Sequence, residues 1–169
     1  MRKLATSILI TLATLYYAPT ASAMGPSAAV LVGNGFKDGY NLGFGARAGF
    51  TLPMSIYVGG TLVYHLGKSD STPFGDASFR ILYLGGEGGY DISAGPLTVR
   101  PYLGLGFANA TASLGGVSNS QGKAAIWPGA VALFPIGNLF VGADARYVLI
   151  IDADDSNAFS LFATVGMMF

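Results

Sequence analysis

The sequence predicts an all-β protein: an eight-stranded antiparallel up-and-down transmembrane β-barrel preceded by a cleavable signal peptide. Three observations predict it. Apolar and polar residues alternate with a period of two through most of the chain, as in strands with one oily face. Of the 169 residues 51% are apolar and only 11% charged, and 25 are glycine, a composition too oily for a disordered tail and too Gly-broken for a helix bundle. Beyond the N-terminus no run of roughly 18 residues is free of polar interruption, so membrane helices are not expected. Nine Lys and Arg balance nine Asp and Glu, which leaves no basic field for nucleic acid. With no cysteine there is no disulfide scaffold, thiolate metal site or thiol nucleophile.

The elements follow in order. Met1-Arg2-Lys3 is a short basic region, residues 4–18 are apolar apart from Thr and Ser, and Ala21-Ser22-Ala23 supplies a small-x-small cleavage site. Residues 1–23 therefore read as a signal peptide, in preference to an uncleaved anchor, because the apolar core is short and Pro19 follows it. Removing Arg2 and Lys3 leaves seven basic against nine acidic residues in a single mature domain, 24–169. Its first strand is expected over 27–35. In 41–52 every even position is apolar, from Leu42 through Phe44, Ala46, Ala48 and Phe50 to Leu52. Strands over 55–67, 78–92, 97–112, 123–136, 139–151 and 158–169 keep the rhythm. Tight turns fall at Pro53, at Ala94-Gly95-Pro96 and at Gly137-Asn138. Four longer but modest loops occupy 36–40, 68–76, 113–122 and 152–157. Such alternation of tight turns and longer loops describes consecutive hairpins. In lipid an open sheet edge would leave backbone groups unpaired, so eight strands should close.

The charges choose the solvent of each face. Arg47, Glu87, Asp91, Arg100, Asp144 and Arg146 all fall opposite the large aliphatic side chains. Few charges lie in strands, and the oily face is expected to carry Phe50, Tyr90, Phe107, Trp127, Tyr147 and Phe159 near its ends, as membrane girdles do. The oily face is thus assigned to lipid, with Ala48 and Ala145 on it. Ala132 is assigned to the interior.

The chain finishes on alternating Leu161, Ala163, Val165, Met167 and Phe169. This ending resembles the C-terminal signal through which outer-membrane barrels engage the bacterial assembly machinery. The runs Arg100-Pro101-Tyr102-Leu103-Gly104-Leu105-Gly106 and Val141-Gly142-Ala143-Asp144-Ala145-Arg146-Tyr147 are similar to strands of the OmpA transmembrane-domain/OmpX-like, porin-like superfamily. The resemblance spans the whole mature chain and implies a bacterial outer-membrane location. Its implied partners are outer-membrane lipids and, through Leu161, Val165, Met167 and Phe169, the barrel assembly machinery. The sequence departs from the OmpA type in having no peptidoglycan-binding domain after the barrel. It departs from the OmpX type in having modest loops rather than long protruding strands.

An eight-stranded barrel is about wide enough to be filled by its own side chains. Three arginines and three carboxylates on the inner face are expected to pair there as a salt-bridged plug, the alternative being an ion-selective constriction. His65, the single histidine, lies near the loop end of its strand with Ser69, Asp70 and Ser71 following. Some small outer-membrane barrels are lipid-modifying enzymes using His, Ser and an acid, but His65 reads more simply as a cap on the polar interior. Asp152, Asp154 and Asp155 read as a solvated acidic loop rather than a Ca²⁺ or Mg²⁺ site. Gly85-Gly86 and Gly104-x-Gly106 precede no helix and are not phosphate loops. The sequence thus predicts a non-enzymatic barrel without cofactor or metal, with a structural or surface-interaction role and an unidentified loop ligand. The alternatives are a narrow pore or a His65-centred lipid-modifying enzyme.

Overall fold

A computed structural model describes residues 25–37, 40–67, 69–72, 75–114, 117–152 and 157–169. The expected signal peptide, 1–23, and the acidic pair Asp154 and Asp155 lie outside the described residues. Ten strands form: β1 (Gly25–Gly35), β2 (Leu42–Thr51), β3 (Ile56–His65), β4 (Ser69–Thr72), β5 (Gly75–Tyr90), β6 (Ile92–Ala94), β7 (Leu97–Leu114), β8 (Val117–Ile136), β9 (Leu139–Ile150) and β10 (Ala158–Met168). Eight of them make the barrel, and β4 and β6 are short additions paired with β5 and β7. Each barrel strand pairs antiparallel with its neighbours in the order β1-β2-β3-β5-β7-β8-β9-β10. The sheet closes where β1 meets β10, from Ser27↔Met168 to Gly35↔Ser160.

The turns divide the molecule into two unlike ends. Pro53–Ser55 makes one turn of 3-10 helix, and Gly95-Pro96 and Gly137-Asn138 make tight turns. Gly95 at φ 64 and Gly137 at φ 63 adopt the left-handed backbone that these turns require. The start of β1 and the end of β10 lie at this short-turn end. The opposite end differs from expectation. Residues 69–72 and 75–78 pair as a hairpin instead of forming a loop. Residues 113–114 and 117–122 are also strand, and the β7–β8 ladder runs without a break from Thr98↔Leu133 to Leu114↔Val117. Ser, Asn, Gln and Gly have weak strand preference, so the composition reads as loop. A ladder already in register overrides it, aided by cross-strand hydroxyl pairs between Thr111 and Ser120 at 2.7 Å and between Ser113 and Ser118 at 2.9 Å. The molecule therefore carries a projecting sheet rather than modest loops alone.

Side chains alternate around the whole wall. On β2, Leu42, Phe44, Ala46, Ala48 and Phe50 face out while Gly43 and Arg47 are buried inside. On β7 the outward residues from Leu97 to Phe107 are all apolar, a band about 24 Å tall for a strand tilted near 45°. Above Phe107 the outer face turns polar, with Asn109, Thr111 and Ser113 on β7 and Arg80 beside them on β5. Five of the six expected girdle aromatics lie on the outer face: Phe50, Tyr90, Phe107, Tyr147 and Phe159. The sixth is corrected. Trp127 is wholly buried in the interior, and Ala132, expected inside, shares the outer face with Ala130 and Phe134. From Ala124 to Ile136 both faces of β8 are apolar, so no polar residue there fixes the phase of the alternation.

Candidate functional site

The interior is filled in three tiers, each built by inward positions of several strands. The middle tier is a closed ring of four charges. Arg47 on β2 meets Glu87 on β5 through Nε at 2.7 Å and Nη2 at 3.2 Å. The same guanidinium reaches Asp144 on β9 at 2.7 Å. Arg146, two residues further along β9, holds Asp144 at 2.9 and 3.0 Å and approaches Glu87 at 3.7 Å. Positive and negative groups thus alternate around the ring. Taking each ion out of water costs several kcal/mol, which attraction repays only when geometry and hydrogen bonding are both good. Here the Trp127 indole donates to Glu87 at 3.0 Å and the Tyr102 hydroxyl to Asp144 at 2.8 Å. The Arg47 guanidinium also lies 4.6 Å from the centre of the Tyr102 ring.

Glycine makes room for these aromatic partners. Gly104 pairs with Trp127 across β7 and β8, and a methyl group there would overlap the indole nitrogen. The Tyr57 ring likewise occupies the space a side chain would take at Gly49 and Gly59. Small and large inward residues in adjacent strands therefore fill the barrel together.

The second tier lies at the short-turn end. Arg100 on β7 clasps Asp91 through Nε at 2.5 Å and Nη2 at 2.9 Å. The Thr51 hydroxyl donates to the same carboxylate at 3.3 Å, and the guanidinium sits 3.7 Å above the Tyr57 ring. All six charges placed on the inner face from sequence are brought inside, but as a ring of four and a separate pair.

The third tier closes the opposite end. His65 is completely buried, packed against Tyr40, Tyr83 and Phe162 with ring centres 5.0, 6.0 and 5.7 Å away. Its Nδ1 faces the carbonyls of Tyr40 and Asn41, the latter at 3.2 Å. Carbonyls only accept, so Nδ1 carries the hydrogen. Nε2 has no hydrogen-bond partner among the described residues. A general base needs a hydroxyl within reach of its free nitrogen, and among the described residues none is bonded to Nε2. Burial, with the Tyr83 and Tyr147 phenols nearby, raises the Tyr40 hydroxyl well above its ordinary range and keeps it protonated. Among the described residues no three His, Asp or Glu side chains group to hold a metal. Asp152 contributes its carbonyl, which accepts a hydrogen bond from Lys123.

Tyr102, Trp127, Thr51 and Tyr57 are the partners to which sequence reasoning gives no part in the charged interior; it assigns Trp127 to the outer rim. The signal for the tyrosines is present, since Tyr57 and Tyr102 share the inward parity of Arg100 and Glu87. Trp127 carries no such signal. At the chain's end Leu161, Val165, Met167 and Phe169 all face outward.

No protein-family model matches the chain, and no curated protein does. Solved structures do match. Neisserial surface protein A superposes with a TM-score of 0.64 at 17% identity, covering 88% of this chain and 98% of that one. Ail, the attachment invasion locus protein of Yersinia pestis, gives 0.60 at 21% identity over 86% and 99%. A major outer membrane protein from Thermus thermophilus gives 0.65 at 12% identity over 85% and 99%. The chain has the fold of these small outer-membrane barrels.

Proposed function

We propose that this chain is a bacterial outer-membrane barrel, exported through residues 1–23, that anchors itself in the envelope and presents its projecting end to the surroundings. One observation carries the reading. The outer wall is a continuous apolar belt with aromatic rims, while the charged side chains at the belt's height face inward and are paired. A water-soluble barrel needs the opposite arrangement. Exposed apolar area of this extent marks a surface that meets lipid or protein, and a closed sheet leaves no unpaired backbone edge in hydrocarbon. The outer-membrane neighbours, among them an attachment protein, support this setting. The ring, the Arg100–Asp91 pair and the His65 cap together read as a plug. The C-terminal positions Leu161, Val165, Met167 and Phe169 read as the contact for the assembly machinery, and outer-membrane lipids as the partner of the belt. The sealed setting of His65, with no hydroxyl bonded to its free nitrogen among the described residues, favours a non-enzymatic role.

Planar-bilayer recording on refolded protein tests the plug. The expected result is no steady large conductance in the wild type, and at most small, flickering events when Arg47 and Glu87 are neutralised together. A stable open level of porin size in the wild type would replace the plug with a pore. Fractionation of cells should recover the protein in the outer membrane as a heat-modifiable band, and recovery in the soluble fraction would refute the envelope role.

A further inference from the structure

The inner face of the projecting sheet carries a basin lined by none of the charged side chains of the plug. The register lays it out in three rows across β5, β7 and β8. Phe79 pairs with Ala112 and Ala112 with Asn119; the next rows are Ile81, Ala110 and Gln121, then Tyr83, Ala108 and Lys123. Rows lie two residues apart, about 7 Å. A column of alanines thus runs between an apolar wall on β5 and a polar wall on β8. Because alanine reaches only one carbon from the backbone, a cavity of about 260 Å³ opens over the column, bounded also by Ile150. Ala108 and Ile150, both buried, form its floor.

Lys123 is the single charged side chain among the lining residues. Its ammonium donates to the Asp152 carbonyl, which fixes it at the rim beside the β9–β10 connection. That partner is neutral, and no carboxylate among the described residues pairs with this ammonium. An ammonium has three hydrogens to give, and the described residues take one of them. Beside it on the same wall stand the amides of Gln121 and Asn119, both exposed.

We propose that this basin binds a small amphipathic carboxylate. Its alkyl body lies on the alanine column against Phe79 and Ile150, and its carboxylate accepts hydrogen bonds from Lys123 Nζ and the Gln121 amide. The apolar floor selects the body, and Lys123, paired with no carboxylate among the described residues, selects the anionic end. The site rests on the closed lumen of the proposed function, because an open channel would leave it without a floor.

The test is calorimetric titration of octanoate into the full protein in phosphatidylcholine nanodiscs, with empty nanodiscs subtracted and octan-1-ol as the uncharged counterpart. Saturable octanoate binding, tighter than that of octan-1-ol, is expected. Lys123→Met should weaken octanoate about tenfold or more, as loss of a hydrogen bond to a charged group does, and leave octan-1-ol unchanged. Ala110→Leu fills the cavity and should remove binding of both, with emission from Trp127 reporting an intact barrel. Should that variant disturb the emission, Ala112→Leu one row further out serves the same purpose. The proposal is overturned if binding does not exceed that of empty nanodiscs, if the intact filled variant still binds octanoate, or if wild type holds octan-1-ol as tightly. Conductance on the same preparation separates the two readings. A steady channel removes the plug and the floor with it, whereas a silent bilayer without octanoate binding removes the basin alone.

Discussion

Glu87 is the residue on which the interior turns, because it is shared by Arg47, Arg146 and the Trp127 indole. Replacing it by Gln keeps a hydrogen-bond acceptor for the indole but leaves the ring with one net positive charge. Breaking a buried pair in this way typically costs about 3–5 kcal/mol. Urea unfolding in lipid bilayers should show a loss of that size for Glu87→Gln. Breaking the Arg100–Asp91 pair should cost less, since Asp91 retains some access to water. Gly104 offers a test of space rather than charge. Its missing side chain is where Trp127 sits, so Gly104→Ala forces the indole away from Glu87. Overpacking of this kind costs roughly 1–3 kcal/mol. The chain has one tryptophan, so its emission should shift together with the stability. A variant that loses neither would show that the indole has another way to lie.

Strands differ in how openly their sequence declares their facing. β2 carries Gly or Arg at most inward positions and apolar side chains at every outward one, so Arg47 and Ala48 are legible at once. β8 runs Ala-Ile-Trp-Pro-Gly-Ala-Val-Ala-Leu-Phe through its middle, apolar on both faces. Its phase is set by pairing with Gly104 and Tyr102 on β7 and with Asp144 and Arg146 on β9, which sequence periodicity does not see. That is why periodicity alone puts Trp127 and Ala132 on the wrong faces. The projecting ends of β7 and β8 are hidden for a related reason: their Ser, Asn and Gln residues are held in strand by the ladder beneath them. The basin between Phe79 and Lys123 depends on register across three strands and has no signal in the sequence at all. A charge scan tests facing directly. Ala145 lies outward near mid-height, opposite Ala130 and Leu161. Ala145→Arg should destabilise the protein in lipid by about 2–4 kcal/mol, with a smaller loss for Ala132→Arg nearer the rim. Single cysteines at Ala130 and Val131 add an independent reading. Lipid-borne quenchers should reach the first and not the second, and the reverse would turn β8 inside out.

At the scale of the whole molecule, the closing seam and the outward-facing C-terminal residues meet in one prediction. Phe169 is largely exposed, and its backbone N–H bonds to the Pro26 carbonyl at 2.9 Å. It buries little, so Phe169→Asp should scarcely change the stability of protein refolded in detergent. In cells the same variant should yield far less heat-modifiable, protease-protected barrel if the terminal alternation is read during assembly. Equal amounts of mutant and wild-type barrel in the membrane would show that it is not. The seam itself has a consequence in time. β1 pairs with β10, the barrel strand furthest from it along the chain, so nothing short of β10 can seal the wall. Until then both β1 and β9 present open edges, and in hydrocarbon each unpaired backbone group costs several kcal/mol. A chain lacking its final strand therefore has no comfortable resting place in a bilayer. Insertion by instalments alongside synthesis would leave those edges bare in hydrocarbon, so closure is expected only once β10 is at hand to meet β1.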